Sequence, residues 1–173
     1  MLIIQCTRKL LDELKTDLDV EKISISDSIF SWHTHLFLLN RKKCVIVMNN
    51  KTRFNFVLVG LKRADFLNFD SIVVKGIKEN LLAEGIDNTV VESYLQERNK
   101  VIFTASSDRS IISQMNEMKR NIEYIFNNDK AEGVETDIHE LNRWLNRFVM
   151  LKLPKLYSGE TMRDELMKLF SKE

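Results

Sequence analysis

Apolar and polar positions change rhythm several times along the chain, and each change predicts an element. Leu2-Ile3-Ile4-Gln5-Cys6 is a short strand candidate. Thr7 then stands as an N-cap before Leu10, Leu11 and Leu14, whose spacing is helical. Residues 16–31 have no stable period and read as a connecting loop. Three runs rich in β-branched and aromatic residues follow, Trp32 to Asn40, Lys43 to Asn49 and Arg53 to Val59, separated by gaps of hairpin length. They predict an antiparallel meander over about 32–59. Its middle strand is apolar on both faces, with Cys44, Ile46 and Met48 on one and Val45 and Val47 on the other.

Beyond Gly60, Phe66, Phe69, Ile72, Val73, Ile77 and Leu81 recur at helical spacing, predicting a helix over 62–84 that stops at Gly85. Asp87 caps a second helix, and Lys100 to Ser106 alternates as a further strand. Asp108 caps a long helix over 109–126 with the stripe Ile111, Met115, Met118, Ile122 and Phe126. Polar residues 127–135 read as a linker. Thr136 and Thr161 open two C-terminal helices. The expected architecture is α+β in one domain, 1–173, with an antiparallel sheet of four or five strands, helices packed on it and a C-terminal helical part, 136–173. The apolar stripe Trp144, Leu145, Phe148, Val149 and Met150 packs either on that sheet or on a second copy in a homodimer.

Composition narrows the class. Hydrophobic residues make up 44% and charged residues 29% of the 173, as a folded globular chain needs. The longest apolar runs fall far short of the roughly 18 residues that span a bilayer, so no membrane role is expected. No signal peptide precedes the first strand, and the two cysteines, Cys6 and Cys44, are expected as reduced core residues of a cytoplasmic protein. The net charge of +1 conceals a block at 36–64 that sums to +7 without one acid, followed by an acidic stretch at 65–97.

Candidate chemistry comes from few residues. His33 and His35, two apart on a strand, share a face, which suits metal or acid–base work. A metal needs a third ligand, which could be Cys6, Cys44 or His139, and no ligand motif accompanies them. Hydrogen-bonded sheet histidines are the simpler reading. No nucleophile elbow occurs, and five glycines make no phosphate loop, so no metal or cofactor is expected. Asp108-Arg109 at a helix start, followed by Ser110, suits a substrate carboxylate or phosphate, although an N-cap with an exposed or ion-paired arginine explains it as well. Arg41, Lys42, Lys43, Lys51 and Arg53 at the hairpin ends form the candidate nucleic-acid surface, with Phe37, Phe54 and Phe56 for stacking. Against it, hairpin tips ordinarily carry basic residues.

Cys6-Thr7-x-Lys9-Leu10, Trp32-His33-x-x-Leu36, Asn40-Arg41-Lys42-Lys43, Asp108-Arg109-Ser110-Ile111-Ile112, Met115-Asn116-Glu117 and Leu141-Asn142-Arg143-x-Leu145-Asn146-Arg147 resemble a family of small bacterial proteins described as a domain of unknown function. The resemblance implies a bacterial, cytosolic protein and brings no activity, cofactor or partner with it. It draws attention to Trp32, His33, Arg41, Arg109, Ser110 and Asn116. The expected function is therefore a non-catalytic binding or regulatory module. Two alternatives stand beside it: nucleic-acid binding through residues 41–63, and a hydrolase with a polar site of His33, His35, Arg109, Ser110 and Asn116.

Overall fold

The structure is a computed structural model that describes residues 1–16, 28–96 and 100–171. Five strands form one sheet: β1 (Leu2–Cys6), β2 (Ser31–Leu39), β3 (Lys42–Asn49), β4 (Asn55–Leu61) and β5 (Val101–Ala105), in the order β4-β3-β2-β1-β5. The meander β2-β3-β4 is antiparallel as expected. The sheet as a whole is not: β1 runs parallel to both β2 and β5. Helix α1 (Arg8–Leu14) is the reason for the first pairing, because a strand that exits into a helical crossover is followed by a neighbour pointing the same way. The loop expected at 16–31 lies for the most part outside the described residues.

The β2–β3 turn places Asn40 and Arg41 at φ 48° and 65°, the left-handed pair that a two-residue hairpin demands. In β4 the register skips Gly60, whose φ of 72° forms a bulge opposite Lys43 and Cys44.

Helices cover both faces. Against one lie α1, α2 (Arg63–Leu67), α3 (Phe69–Ala83), α4 (Asn88–Gln96) and α7 (Ser158–Phe170), packing on Leu2, Ile4, Trp32, Val45, Val47, Phe54 and Phe56. Against the other lie α5 (Arg109–Ala131) and α6 (Ile138–Leu145), over Phe37, Ile46, Met48 and Val57. β3 is thus buried on both sides. Gly76 lets α3 approach β4, since a Cβ there would come within 2.7 Å of the Phe56 ring.

Four helix boundaries differ from expectation. The helix over 62–84 is broken at Asn68, which ends α2 and begins α3 while its side chain bonds back to the Ala64 carbonyl. The linker at 127–135 is half helix, because α5 runs on to Ala131. The last two helices begin at Ile138, behind the N-cap Asp137 that accepts from the Glu140 N–H, and at Ser158, where Thr136 and Thr161 were expected to open them. In the C-terminal stripe Leu145 and Met150 are buried in the sheet-facing core, while Trp144 stacks edge-on against Phe148 at the surface and Val149 is exposed. No helix among the described residues is long and apolar enough to cross a membrane.

Candidate functional site

On the face beneath α5 the register aligns Thr104, Gln5, His33, Met48 and Asn55 in one row across all five strands. His33 is fully buried. Its Nδ1 lies 2.7 Å from Asn50 Oδ1, so Nδ1 carries the proton, and Asn50 Nδ2 donates to Gln5 Oε1 at 2.6 Å. The opposite ring nitrogen, Nε2, is enclosed without a partner, as are Ser31 Oγ, Thr104 Oγ1 and Asn55 Oδ1 on the same face and Gln114 Oε1 on α5. Burial pushes the His33 pKa down, with Arg53 adding to the effect and the Asn50 bond and the Asp108 carboxylate opposing it. His35, one row along, meets Thr7 Oγ1 at 3.2 Å and is also pushed down, by burial and by Lys119 and Lys9.

The other members of the expected polar site do not join His33 in an open cleft. Asp108 caps α5, accepting from the Ser110 and Ile111 N–H groups at 2.8 and 3.1 Å, which leaves Arg109 and Ser110 in solvent. Asn116 is half-buried farther along α5. His33, His35, Arg109, Ser110 and Asn116 line none of four surface clefts of roughly 280–460 Å³. Among the described residues no three His, Cys, Asp or Glu side chains converge as a metal needs. Both cysteines are free and buried, and burial pushes the Cys6 thiol up to about 12 although Thr34 Oγ1 donates to it.

The basic block is divided between the two ends of β3, about 25 Å apart for a strand of eight residues. Arg41 and Lys42 sit exposed at one end, beside Lys43, which pairs with Glu13 and lies over the Phe66 ring. Lys51 and Arg53 sit at the other, Lys51 paired with Glu165 and Arg53 donating to the Asn50 carbonyl. Phe37, Phe54 and Phe56 are interior, so they offer no ring to a base.

Residues that sequence reasoning noticed only as a pattern carry the more developed geometry. Along α6, Leu141 and Leu145 enter the core, and Asn142 and Asn146 reach the outer edge of β4. Asn142 accepts from the Val57 N–H at 2.8 Å and donates to the Val57 carbonyl at 3.4 Å; Asn146 does the same for Asn55 at 2.8 and 2.7 Å. Two side-chain amides thereby occupy the place of a neighbouring strand. Asn146 Oδ1 also accepts from Ser158 Oγ, tying α7 to the same edge.

The arginines of that pattern point elsewhere. Arg147 donates to Glu84 Oε1 at 3.3 Å, and Arg163 on α7 donates to the Glu84 carbonyl at 2.7 Å with its guanidinium 3.9 Å from the carboxylate. Glu84 is buried at the end of α3, and Gly159 is what admits it, since a Cβ there would stand 2.5 Å from Oε1. Burial pushes the Glu84 pKa up, against the pull of Arg147, Arg163 and Arg143. Beside this triad opens a cleft of about 330 Å³ lined by Glu84, Asn146, Arg147, Tyr157, Glu160 and Arg163. Repetition at i and i+4 of Leu, Asn and Arg in residues 141–147 was the available signal, because it puts each type on its own helix face.

A family model described as Domain of unknown function (DUF6933) matches residues 3–159. The chain belongs to that family. No match was found among curated proteins or solved structures. The family stretch takes in all of the sheet but Leu2, together with the Asn142–Asn146 closure, Glu84 and Arg147. It ends inside the first turn of α7, so Glu160 and Arg163 lie beyond it.

Proposed function

We propose that this chain is a non-catalytic binding module and that the cleft beside Glu84 takes a carboxylate or phosphate group. The supporting observation is that one buried carboxylate orients two guanidinium groups, Arg147 and Arg163, at the mouth of the cleft. Glu84 and Glu160 offset the two arginines of the lining, Arg143 adds a third positive charge near Glu84, and each guanidinium has five N–H donors of which the protein uses few. Planar forks held in place lose little freedom on meeting an anion, which favours binding. His33 does not compete for the role, because a general base must reach its substrate and Nε2 is enclosed.

Titration calorimetry with inorganic phosphate, citrate and a neutral sugar tests the reading. Phosphate or citrate should bind, the sugar should not, and Arg163→Gln should weaken binding by about tenfold, the value of one charge-assisted contact. Equal heats from the wild type and Arg163→Gln would sink it. Turnover of general hydrolase substrates that disappears in His33→Ala would instead favour the enzyme reading.

A nucleic-acid reading keeps one observation in its favour: Arg41, Lys42, Lys62 and Arg63 are all exposed at the same end of the β3–β4 hairpin. Binding of RNA or DNA there should fall steeply with salt, and reversing Lys42 to Glu should weaken it across sequences. No mobility shift at low salt removes it.

A further inference from the structure

The two edges of the sheet are finished differently. The β4 edge is closed by Asn142 and Asn146, whereas β5 pairs only with β1. In that parallel register the Leu2 N–H bonds to the Lys100 carbonyl and the Ser106 N–H to the Cys6 carbonyl. Ile102 and Thr104 therefore turn their backbone groups toward β1, and Val101, Phe103 and Ala105 turn theirs outward. Among the described residues these outward groups have no hydrogen-bond partner. Val101-Ile102-Phe103-Thr104-Ala105 contains none of the lysine, proline or acidic residues that normally blunt an edge.

From this register we infer that a second copy of the chain docks on β5, the two strands pairing antiparallel about a two-fold axis at Phe103. The outward residues stand symmetrically about that position. Phe103 then faces Phe103 of the second copy, and Val101 of each copy faces Ala105 of the other, so every outward N–H meets an outward carbonyl with no residue left over. With no lysine, proline or acidic residue in the strand to oppose its own kind, the occupant is a second copy, and a closed two-fold is the commonest soluble assembly. Side chains agree with the backbone. Val101, Phe103 and Ala105 share one face, and there Phe103 borders a cleft of about 280 Å³ formed with Leu14, Phe66 and Phe69, at whose rim Leu67 is 74% exposed. Pairing brings two such apolar borders together across the axis. This interface is separate from the Glu84 cleft and from the Trp144–Phe148 surface.

Sedimentation velocity and amide exchange on the full chain test it. The chain should pass from monomer to dimer as concentration rises. Exchange at Val101, Phe103 and Ala105 should slow by about tenfold over the same range, while Ile102 and Thr104, bonded to β1, should not change. Ala105→Pro removes one outward N–H without touching the β1 ladder and should abolish the dimer. Ala105→Lys serves the same end should the proline variant misfold. A monomer at every concentration, or a dimer that survives both substitutions unchanged, overturns the inference; a monomer that instead captures an extended peptide at β5 also counts against it.

Discussion

Trp32 and His33 are neighbours on β2 and equally enclosed, yet they look into different interiors. On the Trp32 side the indole N–H donates to Tyr94 Oη at 2.9 Å, that hydroxyl donates to the Ile29 carbonyl at 2.7 Å, and aromatic rings from Phe54 and Phe56 pack around them. On the His33 side a histidine, the three amides of Gln5, Asn50 and Asn55 and the hydroxyls of Ser31 and Thr104 are enclosed, and a number of their atoms lack partners. Strand alternation separates the two, and a slip of one residue in β2 would exchange them. The contrast shows two ways of burying polar groups: on one face they pair with each other, and on the other several stand without a protein partner around the His33 row.

The largest effect should come from the satisfied face. Phe56→Ala removes a fully buried ring and is expected to cost about 3–5 kcal/mol, measured by urea unfolding. On the polar face Asn50→Ala leaves His33 Nδ1 and Gln5 Oε1 without their partner, for about 1–3 kcal/mol in all. An Asn50→Ala loss as large as that of Phe56→Ala would mean the polar row, not the aromatic cluster, organises the core.

Acid should act through the same face. His33 and His35 both have pKa values below the ordinary 6.5, so below 6.5 the unfolded chain binds more protons and stability falls with pH toward the folded values. The slope is at most about 1.4 kcal/mol per pH unit for each histidine, and it vanishes well above 6.5. Imidazole proton shifts assign the loss, because the raised pKa of Glu84 works in the opposite direction. The smallest effect is expected from Ser31→Ala. An enclosed hydroxyl without a partner contributes little, so stability should change by less than about 1 kcal/mol or rise. A loss of about 2 kcal/mol or more would show that Ser31 is bonded to ordered water.

The meander was legible because β-branched and aromatic residues alternate there and the connecting residues tolerate turn conformations. The direction of β1 and β5 was not, since strand periodicity is the same in parallel and antiparallel sheets. Asn68 breaks a helix inside an apolar rhythm that continues from Phe66 to Phe69, so nothing in the spacing announces it. The last turn of α5 was missed for the opposite reason: Asn127-Asn128-Asp129-Lys130 has no apolar period, and helix continues there on backbone bonds. Sequence put His33 and His35 on one face correctly. It did not reveal that the Nε2 of His33 is sealed, which depends on the tertiary packing around β2.

The amides that close the β4 edge follow it in the chain by 85 and 91 positions. On a ribosome adding about 5–20 residues per second, β4 emerges roughly 4–20 s before α6 can cover it. Throughout that interval the nascent chain carries a bare strand of Phe56, Val57, Leu58 and Val59. The protein's most exposed moment thus falls during synthesis, and it ends with the arrival of two asparagines.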